Sequence, residues 1–115
     1  MIMRAQAIEL LQGTLDILVL KALSWGPRHG HEVARVIRHS TGAIEVLDGS
    51  LYAALHRLEE RRFVEGDWGL SDKGKRARFY TLTSAGRRHL RLETATWERY
   101  VASVSRLLTA TVEPA

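Results

Sequence analysis

The stretch Asp48-Gly-Ser-Leu-Tyr-Ala-Ala-Leu-His-Arg-Leu-Glu-Glu-Arg-Arg62 runs directly into Phe63-Val-Glu-Gly-Asp-Trp-Gly69, followed by Lys73-Gly-Lys-Arg76 and Phe79-Tyr-Thr-Leu82. Leu51, Leu55 and Leu58 recur at i, i+4 and i+7 with Ala54 at their edge, which predicts a helix. Its expected start is Ser50, whose hydroxyl would cap the free amides of the first turn, and its expected end is near Arg61. At about 100° per residue the opposite face carries Gly49, Ala53, His56, Arg57 and Glu60, flanked by Tyr52. Small residues at the amino-terminal half allow close approach to another surface, while Tyr52, His56 and Arg57 reach outward.

Phe63–Trp68 and Arg76–Leu82 are aromatic-rich and bracket Leu70-Ser-Asp-Lys-Gly-Lys75, which predicts a hairpin with a loop of about six residues. Gly74 supplies backbone conformations that other residues avoid. Along the second strand Arg76, Arg78, Tyr80 and Leu82 share one face, and Ala77, Phe79 and Thr81 the other. Aromatics on both faces leave open which of Phe79 and Tyr80 is buried. A helix followed by a cationic hairpin is the order of a winged helix-turn-helix, in which the helix reads bases and the hairpin attracts phosphate.

Charge supports that reading. The net charge is +4, but Lys73, Lys75, Arg76, Arg78, Arg87, Arg88 and Arg91 stand in one tract without an acid, so this tract carries +7 and the rest of the chain −3. A localised cationic surface concentrates a polyanion at one face; scattered lysines mainly favour solubility. At 115 residues and 45% hydrophobic content, the chain is expected to build one compact core. With no cysteine, disulfide scaffolds, thiolate metal sites and cysteine nucleophiles are excluded. Asp16 and Lys21 interrupt the apolar run Leu15 to Leu23, and no apolar stretch approaches the ~20 residues of a bilayer span, so a soluble cytoplasmic protein is expected.

Around the helix and hairpin, three more helices are expected. Residues 1 to 9 read as an arm, and after Gly13 a helix begins with Thr14 as its cap. Its apolar residues Leu11, Leu15, Leu18 and Ala22 are widened by Ile17, Leu20 and Leu23, and Gly26-Pro27 ends it. A second helix from about Gly30 to Ser40 buries Val33, Val36 and Ile37 and stops at Gly42, after which Ala43 to Leu47 is irregular. The last helix, capped by Thr83 and running from about Ser84 to Thr109, would be ~40 Å long, more than so small a core is wide. Leu90, Thr94, Trp97, Val101, Val104 and Leu108 are spaced 4, 3, 4, 3, 4, a heptad seam suited to a second copy of the chain. Residues 1–83 are thus expected to form the arm and the winged-helix region, and 84–115 a dimerisation helix and tail, in one structural domain. The expected fold class is mainly α with a small β-hairpin.

On Leu11-Gln-Gly-Thr-Leu-Asp16, Gly26-Pro-Arg-His-Gly30, Gly49-Ser-Leu-Tyr52, Ala54-Leu-His-Arg-Leu-Glu-Glu-Arg61, the wing from Trp68 to Thr83 and Gly86-Arg-Arg88, the chain resembles the PadR family of bacterial winged-helix transcriptional regulators. It is most similar to the short members with a single carboxy-terminal helix. The sequence departs from that pattern at Ala53, where a proline is usual, at His31, where a tyrosine is usual, and at Arg62, where a glycine is usual. A left-handed conformation at Arg62 would cost on the order of 1 kcal/mol. The resemblance implies a homodimer on a pseudo-palindromic double-stranded DNA operator, repression as the usual outcome, and release by a small molecule that is frequently aromatic.

The candidate DNA contacts are Ser50, Tyr52, His56 and Arg57 on the helix and Lys73, Lys75, Arg76 and Arg78 on the wing. Arg57 suits a bidentate contact to guanine, or a pairing with Glu60 three residues on. Trp97 in the middle of the seam is the candidate for an effector contact as well as for interface packing. His29 and His31 lack the spacing and partners of a metal pair, and His29 is expected to bond locally at the start of the second helix. Ser50 and His56 lack an orienting acid, and no glycine-rich phosphate loop is present, so neither an enzyme nor a cofactor is expected. The competing reading is a winged-helix module that binds protein or RNA without operator specificity, because fold alone does not determine function.

Overall fold

The computed structural model describes residues 13–115, so the expected arm and Leu11 lie outside the described residues. The order of elements is α1 (Thr14–Leu23), β1 (Arg28–His29), α2 (Gly30–Thr41), α3 (Asp48–Glu60), β2 (Val64–Leu70), β3 (Arg76–Leu82) and α4 (Ser84–Leu108). The chain is mainly helical with a three-stranded antiparallel sheet in the order β1-β3-β2.

The helix starts differ from expectation at two points. Gly13, at φ 86°, is the residue before α1, and Thr14 is its first helical residue rather than its cap. Likewise α3 begins at Asp48 after the extended Leu47, so Ser50 lies within the first turn and caps nothing. Asp48 near the positive helix end gives an electrostatic start in place of a hydroxyl cap. By contrast Thr83 caps α4, its hydroxyl accepting from Gly86 N at 3.0 Å. Gly42, at φ 75°, terminates α2 as a left-handed cap, and the segment after it is irregular.

The core is formed by Leu15, Val19, Leu20, Ala22 and Leu23 of α1, Val33 and Ile37 of α2, Leu51, Ala54, Leu55 and Leu58 of α3, and Val64, Tyr80 and Leu82 of the sheet. The three leucines of α3 are fully buried, each contributing about 1.5–3 kcal/mol relative to exposure. In the sheet Tyr80 is buried and Phe79 only partly so, which resolves the ambiguity of the alternating aromatics. The face of Arg76, Arg78, Tyr80 and Leu82 therefore turns toward the helices at its carboxy-terminal end. Strand β2 extends through Leu70, opposite Arg76, two residues farther than the expected end at Trp68.

The third strand is not anticipated by the sequence. Arg28 and His29 pair with Tyr80 and Phe79, which turns the Gly26–Gly30 connection into the outer edge of the sheet. Two residues are too few to carry a periodicity. Pairing is supplied by the partner strand, while Arg28 Nε donates to the Ala22 carbonyl at 3.1 Å and ties this edge to α1.

At the end of α3 the amide of Phe63 donates to the Leu58 carbonyl and that of Arg62 to Glu59, both at 2.9 Å. This is a Schellman closure, with Arg62 in the left-handed position at φ 64°. Replacing Arg62 with glycine should raise stability by about 1 kcal/mol, and the melting temperature by about 4 °C, because the Cβ penalty is relieved. Thermal unfolding by circular dichroism measures this, and an unchanged midpoint would mean that Arg62 carries no strain. Gly86 shows the opposite constraint: it is buried in the first turn of α4, where a Cβ would overlap the Phe63 carbonyl oxygen and approach Leu82 Cδ1 to 2.8 Å. Gly86→Ala should cost about 1–3 kcal/mol in urea denaturation, because backbone rather than a flexible side chain must give way.

Candidate nucleic-acid interface

With Leu51, Leu55 and Leu58 buried, the opposite face of α3 is exposed from Gly49 through Ser50, Tyr52, Ala53, His56 and Arg57 to Glu60. Tyr52 is held from beneath by α2. A Cβ on Gly30 would come within 2.6 Å of the Tyr52 hydroxyl, so the glycine at the start of α2 makes room for this ring. His29 occupies the cap of α2, where its Nδ1 accepts from Glu32 N and its own amide donates to Glu32 Oε1, each at 3.4 Å. The local bonding expected of His29 is thus a reciprocal capping box.

Arg57 has a partner that spacing alone does not indicate. Its guanidinium donates to Asp16 Oδ1 of α1 at 2.7 Å, while Glu60 instead stands 3.8 Å from His56 Nδ1. Asp16 and Arg57 are 41 positions apart, so helix periodicity cannot link them. The pair is solvent-accessible and therefore weak. A phosphate or base edge of comparable geometry can displace Asp16 at small cost.

On the wing Lys73, Lys75 and Arg76 are exposed, and none has an acidic partner among the described residues. Arg76 lies over the Trp68 ring at 4.4 Å, which raises the cation away from the strand and limits its rotamers. Arg78 does not share this freedom, because it pairs with Glu59 of α3. That hydrogen bond, opposed by burial, holds its already high pKa above the ordinary arginine value. Burial pushes the neighbouring Tyr80 phenol upward as well. Farther along, Arg87, Arg88 and Arg91 extend the cationic strip along exposed positions of α4, again without acidic partners among the described residues.

The seam of α4 divides in two. Leu90 packs against the core, whereas Thr94, Trp97, Val101, Val104 and Leu108 are exposed in the single chain. Trp97 is 37% exposed, Val101 39% and Val104 40%, and Leu108 rises to 77% near the helix end. Between α1 and α4 lies an open groove of about 450 Å³, lined by Gly13, Thr14, Ile17, Glu93, Thr96, Trp97 and Tyr100. The Trp97 and Tyr100 rings stand 6.1 Å apart within it.

The profile of the transcriptional regulator PadR-like family matches residues 19–92. The chain belongs to that family. An uncharacterized protein of Lysinibacillus sphaericus is 32% identical over 84 residues, which cover 71% of this chain and 76% of that protein. A PadR family transcriptional regulator of Eggerthella lenta superposes with a TM-score of 0.74 at 29% identity, covering 87% of this chain and 86% of that one. A PadR-like transcriptional regulator of Bacillus cereus superposes with the same TM-score of 0.74 at 26% identity, over 87% of this chain and 96% of that one. The winged-helix class and the family expected from the sequence are both shown, and PadR proteins are transcriptional regulators rather than enzymes. Among the described residues no helix is long and apolar enough to cross a membrane.

Sequence reasoning missed Asp16, Glu59 and Gly66 as partners of the basic residues. Gly66 inside a strand was the available signal, since such a glycine marks a close backbone approach. Exchanging Asp16 for asparagine should free Arg57 while changing folding stability by less than about 1 kcal/mol, as befits an exposed pair. Urea denaturation checks this; a much larger loss would mean that the contact carries the α1–α3 packing.

Proposed function

We propose that this PadR-like chain is a homodimeric, sequence-specific DNA-binding repressor. The observation that carries the proposal is the exposure of one polar face of α3 beside three wing cations without acidic partners among the described residues. In this reading α3 enters the major groove and presents Ser50, Tyr52, His56 and Arg57 to base edges and flanking phosphates. Arg57 exchanges Asp16 for DNA. Lys73, Lys75 and Arg76 contact phosphate or the minor groove, with Arg78 behind them on β3. Occupancy of the operator is what represses.

The exposed residues of α4 support the dimer. Thr94, Trp97, Val101, Val104 and Leu108, continued from Leu90, form an apolar seam along a helix of 25 residues, or about 37 Å. Pairing two such helices would set the reading helices about one turn of DNA apart, ~34 Å, and match a pseudo-palindromic operator. The groove beside Trp97 supports an effector role for that residue. A flat aromatic molecule seated there would press on both α1 and α4, shifting the dimer away from the operator-fitting separation.

Selection from random duplexes followed by footprinting should yield two protected half-sites related by a dyad. A dimer making ~6 to 8 phosphate contacts should lose affinity with salt at a logarithmic slope of about −5 to −7. Neutralising Lys73, Lys75 and Arg76 together should weaken all duplexes alike and flatten that slope by about 1 per lost contact in each protomer, whereas His56→Ala should change the preferred sequence. A slope near zero with no selected sequence would favour the module that binds protein or RNA. Replacing Trp97 and Val101 with glutamate should leave a folded monomer by sedimentation, with operator affinity reduced by about two orders of magnitude or more as paired binding is lost.

A further inference from the structure

We propose that Glu59 and Arg78 are paired positioning residues that fix the angle between the wing and the reading helix, so that Arg78 serves as a brace and leaves phosphate contact to Arg76. The inference rests on the DNA-reading assignment above and assigns these two residues a different task within it. One carboxylate oxygen of α3 holds both strands of the wing: Glu59 Oε2 accepts from the Arg78 guanidinium on β3 and from the backbone amide of Gly66 on β2 at 3.3 Å. The glycine makes room for this arrangement. A Cβ on Gly66 would overlap Arg78 Nε and lie 2.7 Å from its Nη2, so any other residue here would push the guanidinium from its place across the backbone of β2.

Two rings complete the seat, with Arg78 Cζ 5.8 Å from the Tyr80 centroid and 5.9 Å from that of Trp68. Arg76, two residues closer to the tip on the same strand face, has the Trp68 ring but no acid among the described residues. The two arginines therefore divide the work. One is consumed by contacts inside the protein, and the other is presented on the outside. The base of the wing is held by β1 and by Val64, Tyr80 and Leu82 in the core, and the ionic contact from α3 to both strands adds a tie nearer the tip that sets the wing's angle before DNA arrives. Preset in this way, base contacts and phosphate contacts can form together without a further loss of freedom on binding.

The alternative is that Arg78 itself contacts phosphate and Glu59 merely competes for it. A double-mutant cycle on the full chain separates the two, using Glu59→Gln, Arg78→Met and the double variant. Binding is measured over a salt series to the duplex selected by the wild-type protein and to a scrambled duplex. If the brace operates, each single variant lowers affinity for the selected duplex about tenfold, leaves the scrambled duplex within about twofold, keeps the salt slope, and the double variant resembles the singles. Arg78→Lys, which keeps the charge but loses the planar fork, should be as impaired as Arg78→Met.

A direct phosphate contact gives the reverse pattern. Arg78→Met would weaken both duplexes equally and flatten the slope by about 1 per protomer, Arg78→Lys would bind nearly as the wild type, and Glu59→Gln would bind more tightly. That pattern, or additive losses in the double variant, would overturn the brace while leaving DNA reading intact. Failure of the wild-type protein to select any duplex would instead remove the DNA-reading assignment.

Discussion

Burial of Leu51, Leu55 and Leu58 is the constraint on which the rest of the structure depends. A helix is a rigid rod, so once these leucines are sealed against Val19, Leu20 and Leu23 of α1 and Val33 of α2, the direction of the opposite face is determined. Ser50, His56 and Arg57 stand outside because three leucines stand inside. The same burial sets where α3 ends. Its carboxy-terminal closure at Arg62 turns the chain sharply into β2, so the wing starts from a point tied to α3.

Electrostatics then sorts the basic residues by the company they keep. The tract from Lys73 to Arg91 contains no acid, yet its members do not share one environment. Glu59 reaches from α3 to engage Arg78, and Asp16 reaches from α1 to engage Arg57. The first contact also includes a backbone amide and is partly sheltered; the second is a single exposed pair. Solvent screening makes the exposed pair easy to exchange, and the sheltered one more persistent. Acids elsewhere in the fold thereby distinguish cations that brace the structure from cations open to a polyanion.

At the other end, α4 begins as part of the core and continues beyond it. Gly86 allows its first turn to lie on the Phe63 carbonyl, the His89 ring stacks on Phe63 at 4.2 Å, and Leu90 completes the packing. Past that point nearly every residue of the helix is exposed. Its apolar residues from Trp97 onward remain exposed, beside a groove that α1 closes on one side. One element thus joins the winged-helix core to an exposed apolar surface.

Local pattern alone determined the helices, the hairpin, the irregular link after Gly42 and the outward face of α3, because each depends on contacts a few residues apart and leaves a period of about 3.6 or 2 in the chain. The left-handed position at Arg62 was signalled by the family resemblance instead, because PadR proteins usually carry glycine there. Only the tertiary structure decided that Arg28 and His29 form a strand, that Tyr80 rather than Phe79 is buried, and that Arg57 and Arg78 are held by Asp16 and Glu59. These outcomes join segments far apart in sequence. A side chain's partner across such a distance follows from how whole elements pack, and no periodicity within either segment records it.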